Sequence, residues 1–155
     1  MKKITPFLWF NDNAEVAAKF YVSVFKKAKI TKTLRTRATD SMGRVSSVTF
    51  TLEGQDFMAL NGGPAFTFTP AISLFVDCKN QKEVDKLSKK LSKGGAQLQC
   101  GWVRDQFGMS WQIVPSMLSK VLYGKNPTKS AAAMKAMLGM HKLDIKQLQA
   151  AYDNA

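Results

Sequence analysis

The chain has 155 residues, 45% of them hydrophobic, with 23 Lys and Arg against 11 Asp and Glu for a formal net charge of +12. That apolar content excludes a disordered chain and is enough to bury a core in one compact domain or in two small repeats. No apolar run reaches membrane-spanning length, and the stretch Ile4 to Phe10 is interrupted by Pro6 and followed by Asp12, unlike a signal-peptide core. A cytoplasmic, non-membrane protein is therefore expected. The positive charge does not point to specific nucleic-acid binding, because only Arg35, Arg37, Arg44 and Arg104 are arginine and the lysines are spread over the whole chain. The densest group, Lys82, Lys86, Lys89, Lys90 and Lys93, shares a helical segment with Val84, Leu87 and Leu91, the pattern of a solvated face. Cys78 and Cys100 form neither a CxxC metal pair nor a disulfide framework and are expected as reduced thiols.

In chain order, Thr5 to Phe10 alternates as a strand, with Thr5, Phe7 and Trp9 on one face and Pro6, Leu8 and Phe10 on the other. The spacing of Ala17, Tyr21, Val24 and Phe25 predicts a helix from Ala14 to Ala28, with Asn13 as its N-cap. Three strands follow, over Ile30 to Arg37, Val45 to Leu52 and Phe57 to Asn61. The turn-rich segment from Asn61-Gly62-Gly63-Pro64 to Pro70 is a connector, after which the order begins again. Ala71 to Asp77 reads as a strand, Asn80 to Lys93 as a helix ended by Gly94-Gly95, and Ala96 to Gln99 as a short strand. Cys100 to Pro115 closes the set as a hairpin, with arms Trp102 to Arg104 and Met109 to Val114 around the turn Asp105 to Gly108. Phe10-Asn11-Asp12 and Phe75-Val76-Asp77 end equivalent strands, so the chain reads as a duplicated β-α-β-β-β unit. The units are residues 1–63 and 70–115, together 1–115, followed by a helical tail over 116–155.

Period two divides the last arm of the hairpin. Met109, Trp111 and Ile113 share the face expected to pack on helices, while Ser110, Gln112 and Val114 share the other. Ser and Gln where a core would take Leu mark a face that lies open to water or meets a polar ligand. The tail predicts helices over Met117 to Leu122, from Asn126-Pro127 onward, and after an Asp144 cap with Ile145, Leu148 and Tyr152 inward. Met134, Met137 and Met140, three residues apart, are read as packing residues.

The segments TPFLWFNDNAEVAAKFYVSVF, FMALNGGP, AISLFVDC, CGWVRDQFGMSWQIVP and MKAMLGMHKLDIKQLQAAYD, arranged in two such units, resemble the vicinal oxygen chelate superfamily. That superfamily includes glyoxalase I, extradiol dioxygenases and the bleomycin and fosfomycin resistance proteins. Within it the likeness is to the PhnB-like group, often labelled 3-demethylubiquinone-9 3-methyltransferase domains. The resemblance implies an α+β fold in which two βαβββ modules form a half-open barrel around a small-molecule site, commonly in a homodimer. In the superfamily's enzymes a divalent metal takes one ligand from the first and one from the last strand of each module. Those positions fall here at Thr5, Ala59, Ala71 and Gln112, of which only Gln112 offers a plausible oxygen, and the single histidine, His141, lies in the tail. No metal and no cofactor are expected. Methyl transfer finds no support, since Asn61-Gly62-Gly63-Pro64 leads into another strand and not into the helix a nucleotide-type cofactor turn would open.

By the same strand alignment the barrel face collects Thr5, Phe7, Trp9, Phe57, Ala59, Asn61, Ala71, Ser73, Phe75, Ser110 and Gln112, with Trp102 and Arg104 at its rim. Aromatic walls with a few neutral hydrogen-bonding groups suit a planar or partly apolar small molecule. Arg104 is placed to hold a carboxylate or phosphonate, to pair with Asp105, or to point into solvent. Cys100, without a local His, is read as a quiet thiol. The expected function is small-molecule binding in a metal-free pocket. The alternatives are a metal-dependent glyoxalase- or dioxygenase-type enzyme and a metal-free drug-binding resistance protein, and no residue recommends itself as catalytic.

Overall fold

The computed structural model describes residues 2–36 and 44–155. Two compact units divide it, Met1–Phe68 and Thr69–Ala155. The first contains β1 (Phe7–Phe10), α1 (Ala14–Val24), β2 (Ala28–Arg35), β3 (Val45–Leu52) and β4 (Gln55–Asn61). The second contains β5 (Ser73–Cys78), α2 (Gln81–Leu91), β6 (Ala96–Gln97), β7 (Trp102–Arg104) and β8 (Ser110–Pro115), then α3 (Leu118–Leu122), α4 (Pro127–Leu138) and α5 (Ile145–Asp153). Each unit holds a four-stranded sheet of the same order, β1-β4-β3-β2 and β5-β8-β7-β6. In both, the first strand runs parallel to the last and the remaining pairs are antiparallel. The internal echo in the sequence is thus a repeated topology, and the predicted α+β fold of two βαβββ modules with a helical tail holds. The Arg37 end predicted for the second strand lies outside the described residues.

In the first module α1 buries Ala14, Ala17, Ala18, Tyr21 and Val24. Small alanines let the helix approach the sheet closely, and Tyr21 stacks on Phe50 at 6.1 Å, which in turn stacks on Phe57 at 5.3 Å. The helix ends at Val24, short of the predicted Ala28. Phe25 is already extended, and the amides of Lys26 and Lys27 both reach the Glu53 carboxylate, at 3.2 and 3.3 Å, which steers the chain into β2. The N-cap is also corrected: Asn13 makes no side-chain cap, and Asn61 at the end of β4 does the work instead. Its Oδ1 accepts from Ala14 N at 2.8 Å while its Nδ2 donates to Val45 O at 3.0 Å, tying helix, β3 and β4 together. Asn61→Ala is expected to cost about 2 kcal/mol in urea unfolding. Asn61→Asp, which keeps the acceptor at α1 but loses the donor to Val45, should recover part of that loss.

In the second module α2 is capped by Asn80, whose side chain accepts from Glu83 N at 3.0 Å. It buries Val84, Leu87 and Leu91, as the apolar spacing predicts, while Lys82, Lys86, Lys89, Lys90 and Lys93 are exposed. The hairpin between β7 and β8 is organised by Asp105, which is 2% exposed. One carboxylate oxygen accepts from Phe107 N (2.8 Å) and Met109 N (3.0 Å), and the other from Trp111 Nε1 (2.8 Å).

The tail packs on this module. Val114, Leu118, Val121, Ala133, Leu143 and Leu148 form one buried cluster, against which Met137, Met140 and Tyr152 lie half-buried. Met137 and Met140 therefore fill a core, as read from the sequence, whereas Met134 stays outside this cluster. The predicted short strand stops at Gln97, and Gln99–Gly101 forms a single 3-10 turn. Within that turn Cys100 and Gly101 have φ of 58° and 80°, and their consecutive amides donate to Met140 O (2.7 Å) and His141 O (2.6 Å). Gln81 adds a second clasp, donating to Leu143 O (3.0 Å) and accepting from Ile145 N (2.9 Å). Lys142 lies 2.7 Å from Asp85 and, with Gln81, holds that carboxyl below its ordinary value.

Candidate functional site

The second sheet has one face on α2 and one turned away from it. Val103, Trp111 and Ile113 are buried on the α2 side. On the other side the pairing aligns two rows across β5, β8 and β7. Ser73, Ser110 and Arg104 are partners in one row, and Phe75, Gln112 and Trp102 in the next. Gln112 Nε2 donates to Ser73 Oγ at 2.8 Å, bridging the rows. Phe75 is 61% exposed, Arg104 is exposed, Trp102, Gln112 and Ser73 are half-buried, and Ser110 is 3% exposed. These six residues of the expected site are brought onto one face. Arg104 takes the solvent alternative, since Asp105 is committed to its own turn and to Trp111 on the opposite face.

The first sheet divides differently from the expectation. Phe7 pairs with Met58 and Trp9 with Leu60, so Met58 and Leu60 share the face of Phe7 and Trp9, turned away from α1. Phe57 and Asn61 lie on the opposite face with Leu8 and Phe10; Phe57 is buried against Phe50, and Asn61 caps α1. The expected grouping of Phe57 and Asn61 with Phe7 and Trp9 is therefore corrected by one residue of register. Thr5 precedes β1, and its hydroxyl bonds Lys2 O at 2.9 Å. Trp9 is fixed by a bond from Nε1 to Gly63 O (2.9 Å) and by Phe66, edge-on at 5.1 Å. Its indole lies where a Cβ on Gly62 would stand, which is why that position carries glycine.

Both cysteines are free thiols. Burial, with Glu83 and Asp77 adding to it, pushes the Cys78 thiol from its ordinary 9.0 up to about 12. Cys78 is thus a neutral core group and no nucleophile. Because the unfolded chain ionises first, its contribution to stability is full below pH 9 and is lost progressively as pH rises toward 12. Native protein should leave Cys78 unalkylated by iodoacetamide at pH 8.5 for times in which urea-unfolded protein reacts fully, as read by peptide mapping.

The family model described as 3-demethylubiquinone-9 3-methyltransferase matches residues 2–114. The chain belongs to this family. The PhnB protein from Bacillus cereus is 39% identical, the match covering 72% of this chain and 97% of that one with a TM-score of 0.67. A Pseudomonas aeruginosa protein shares the fold at 19% identity, covering 72% and 95% of the two chains with a TM-score of 0.59. A glyoxalase/bleomycin resistance protein/dioxygenase domain from Frankia is 15% identical over 72% and 89%, with a TM-score of 0.46. No curated protein matches the chain. The expected PhnB likeness is borne out, and the tail after residue 114 lies beyond the family match.

The metal implied by the superfamily does not fit the residues at its four positions. Thr5 is engaged with Lys2, Ala59 is buried on the α1 side without a donor atom, Ala71 has none, and Gln112 is bonded to Ser73. Among the described residues no three His, Cys, Asp or Glu side chains gather as a metal site, and no helix is long and apolar enough to cross a membrane. In this member of the 3-demethylubiquinone-9 3-methyltransferase family the glycine pair is structural as well. Gly62 N and Gly63 N donate to Phe10 O (2.8 Å) and Asn11 O (3.0 Å), joining the ends of β1 and β4.

Proposed function

We propose that this protein is a small-molecule-binding, metal-free PhnB-like protein, cytoplasmic and homodimeric, that uses the face of the second sheet turned away from α2. The observation that carries the reading is the pair of rows on that face. Phe75 and Trp102 supply aromatic walls, while Ser73, Ser110, Gln112 and Arg104 supply hydrogen-bonding groups in the proportions of an orienting site. Phe7 and Trp9 offer a comparable aromatic surface on the first module. Methyl transfer is not part of the proposal, because the Gly62-Gly63 turn joins the ends of β1 and β4 and leads to β5 without opening the helix that a nucleotide-type cofactor turn would. The test is native mass spectrometry of untagged protein purified without chelator. A dimer carrying an organic adduct and no metal supports the reading and supplies the ligand's mass. One divalent metal per subunit, lost in Gln112→Ala, would replace it with a glyoxalase-type enzyme.

A further inference from the structure

The two rows differ in chemistry, and that difference selects a ligand. In the row Ser73, Ser110, Arg104 every group can donate, and the Arg104 guanidinium can do nothing else. Arg104 is exposed and forms no ion pair among the described residues, its neighbouring carboxylate being held by Phe107, Met109 and Trp111. Ser110 is 3% exposed, yet its hydroxyl makes no hydrogen bond among the described residues. Its Oγ is not fully enclosed, unlike the partnerless hydroxyls of Ser88 and Ser130, so it can be reached from outside and can donate to a ligand atom placed on it. Ser73 accepts from Gln112, which leaves its own proton to give. Two hydroxyl donors beside an unpaired guanidinium, with no carboxylate in the row, form a receptor for an anion.

The row Phe75, Gln112, Trp102 is one step further along the same strands. With strands about 4.8 Å apart, its two aromatic residues rise from backbones about 10 Å apart on either side of Gln112. That falls within the span of about 9–14 Å that a third ring between two stacked or edge-on neighbours needs. We infer, on the basis of the binding reading above, that the face takes a planar aromatic ring bearing a carboxylate. The ring lies between Phe75 and Trp102 over the Gln112 amide, and the carboxylate meets Arg104 and Ser110.

Benzoate, benzamide and acetate are the probes, titrated at physiological salt into wild type and Arg104→Gln. Affinity is read by calorimetry, and location by NMR shifts of the Gln112 side-chain amide and the Trp102 indole. Benzoate is expected to shift both groups and to bind wild type at least about tenfold more tightly than benzamide or acetate. Arg104→Gln should abolish that preference while leaving the melting temperature unchanged, since Arg104 is exposed. Equal binding of benzoate and benzamide at these residues would overturn the anionic assignment and leave the small-molecule reading standing. A benzoate preference that persists in Arg104→Gln, or that acetate reproduces, would also overturn it, as the general attraction of a +12 chain for anions. If no probe shifts Gln112 or Trp102, the aromatic-carboxylate reading falls, and the small-molecule reading is decided by the adduct in native mass spectrometry.

Discussion

Asp105→Ala should lower the unfolding free energy by about 4 kcal/mol. The carboxylate is buried and accepts three hydrogen bonds, from Phe107 N, Met109 N and the Trp111 indole. Bonds to a charged acceptor are each worth about 1.5–3 kcal/mol, and three that share one carboxylate fall short of their sum. Alanine leaves all three donors without their acceptor, and Trp111 is itself 2% exposed, so water cannot replace it freely. Asp105→Asn separates the two oxygens. It keeps one acceptor but presents an amide N–H₂ to a donor on the other side, and should lose about half as much. Urea unfolding measures both, and the near-ultraviolet signal of Trp111 reports the released indole. An alanine variant as stable as wild type would mean that the turn is held by its backbone alone. The same variant loosens the turn between β7 and β8, so the alignment of Arg104 with Ser110 should suffer with it.

Gly101→Ala is expected to cost about 3 kcal/mol, for two reasons that act together. Its φ of 80° is left-handed, where a Cβ costs about 1–2 kcal/mol. The added Cβ would also stand 2.8 Å from the Ile113 carbonyl and 3.0 Å from Leu143 Cδ1, an overpacking that typically costs about 1–3 kcal/mol. The neighbouring Cys100 provides the contrast: at φ 58° it already tolerates a side chain, and Cys100→Gly removes strain while losing only a weak thiol contact to Met137 O at 3.7 Å. That variant should change stability by less than about 1 kcal/mol. Hydrogen exchange separates the two cases. In Gly101→Ala the amides of α4 and α5 should lose protection before those of β8, because Cys100 N and Gly101 N bond the tail at Met140 O and His141 O, whereas β8 is also held by its pairing with β5 and β7. Uniform loss across the unit would show that tail and sheet unfold as one.

The duplicated topology was legible because each module repeats the same local signals: a strand closed by Phe or Val before a turn, an amphipathic helix, and an alternating final strand. β8 illustrates the favourable case. Met109, Trp111 and Ile113 alternate with Ser110 and Gln112, so period two assigns its faces without any partner. β4 illustrates the opposite. In Phe57-Met58-Ala59-Leu60 every residue is apolar, and either set of alternate residues could face a helix. The choice is made by pairing with β1, where Phe7 meets Met58, and by Phe50 stacking on Phe57, contacts between residues far apart in the chain. Met58 and Leu60 were missed as members of the open face for that reason. Asn61 was misread for a related one: an Asn after an apolar run resembles a polar point in a pocket, but its partners Ala14 and Val45 are 47 and 16 residues away. The capping Asn13, plausible from its position, yields to it. The absence of donors at Ala59 and Ala71 needed no folding to be seen, since alanine offers none in any register.

The clasp between the 3-10 turn and the tail also sets an order of assembly. Every bond described within the first module joins residues before Thr69, including Trp9 to Gly63 and Asn61 to Ala14. The second module instead links Gln81 to Leu143 and Ile145, and Cys100 and Gly101 to Met140 and His141, across separations of up to 64 residues. During synthesis at about 5–20 residues per second, the first module can close while the second is still being made, and the second must wait for its tail. Released chains ending at Pro115 should accordingly protect the first module from protease and leave β5 to β8 open to cleavage. Chains that include α5, and with it Leu148, should protect both.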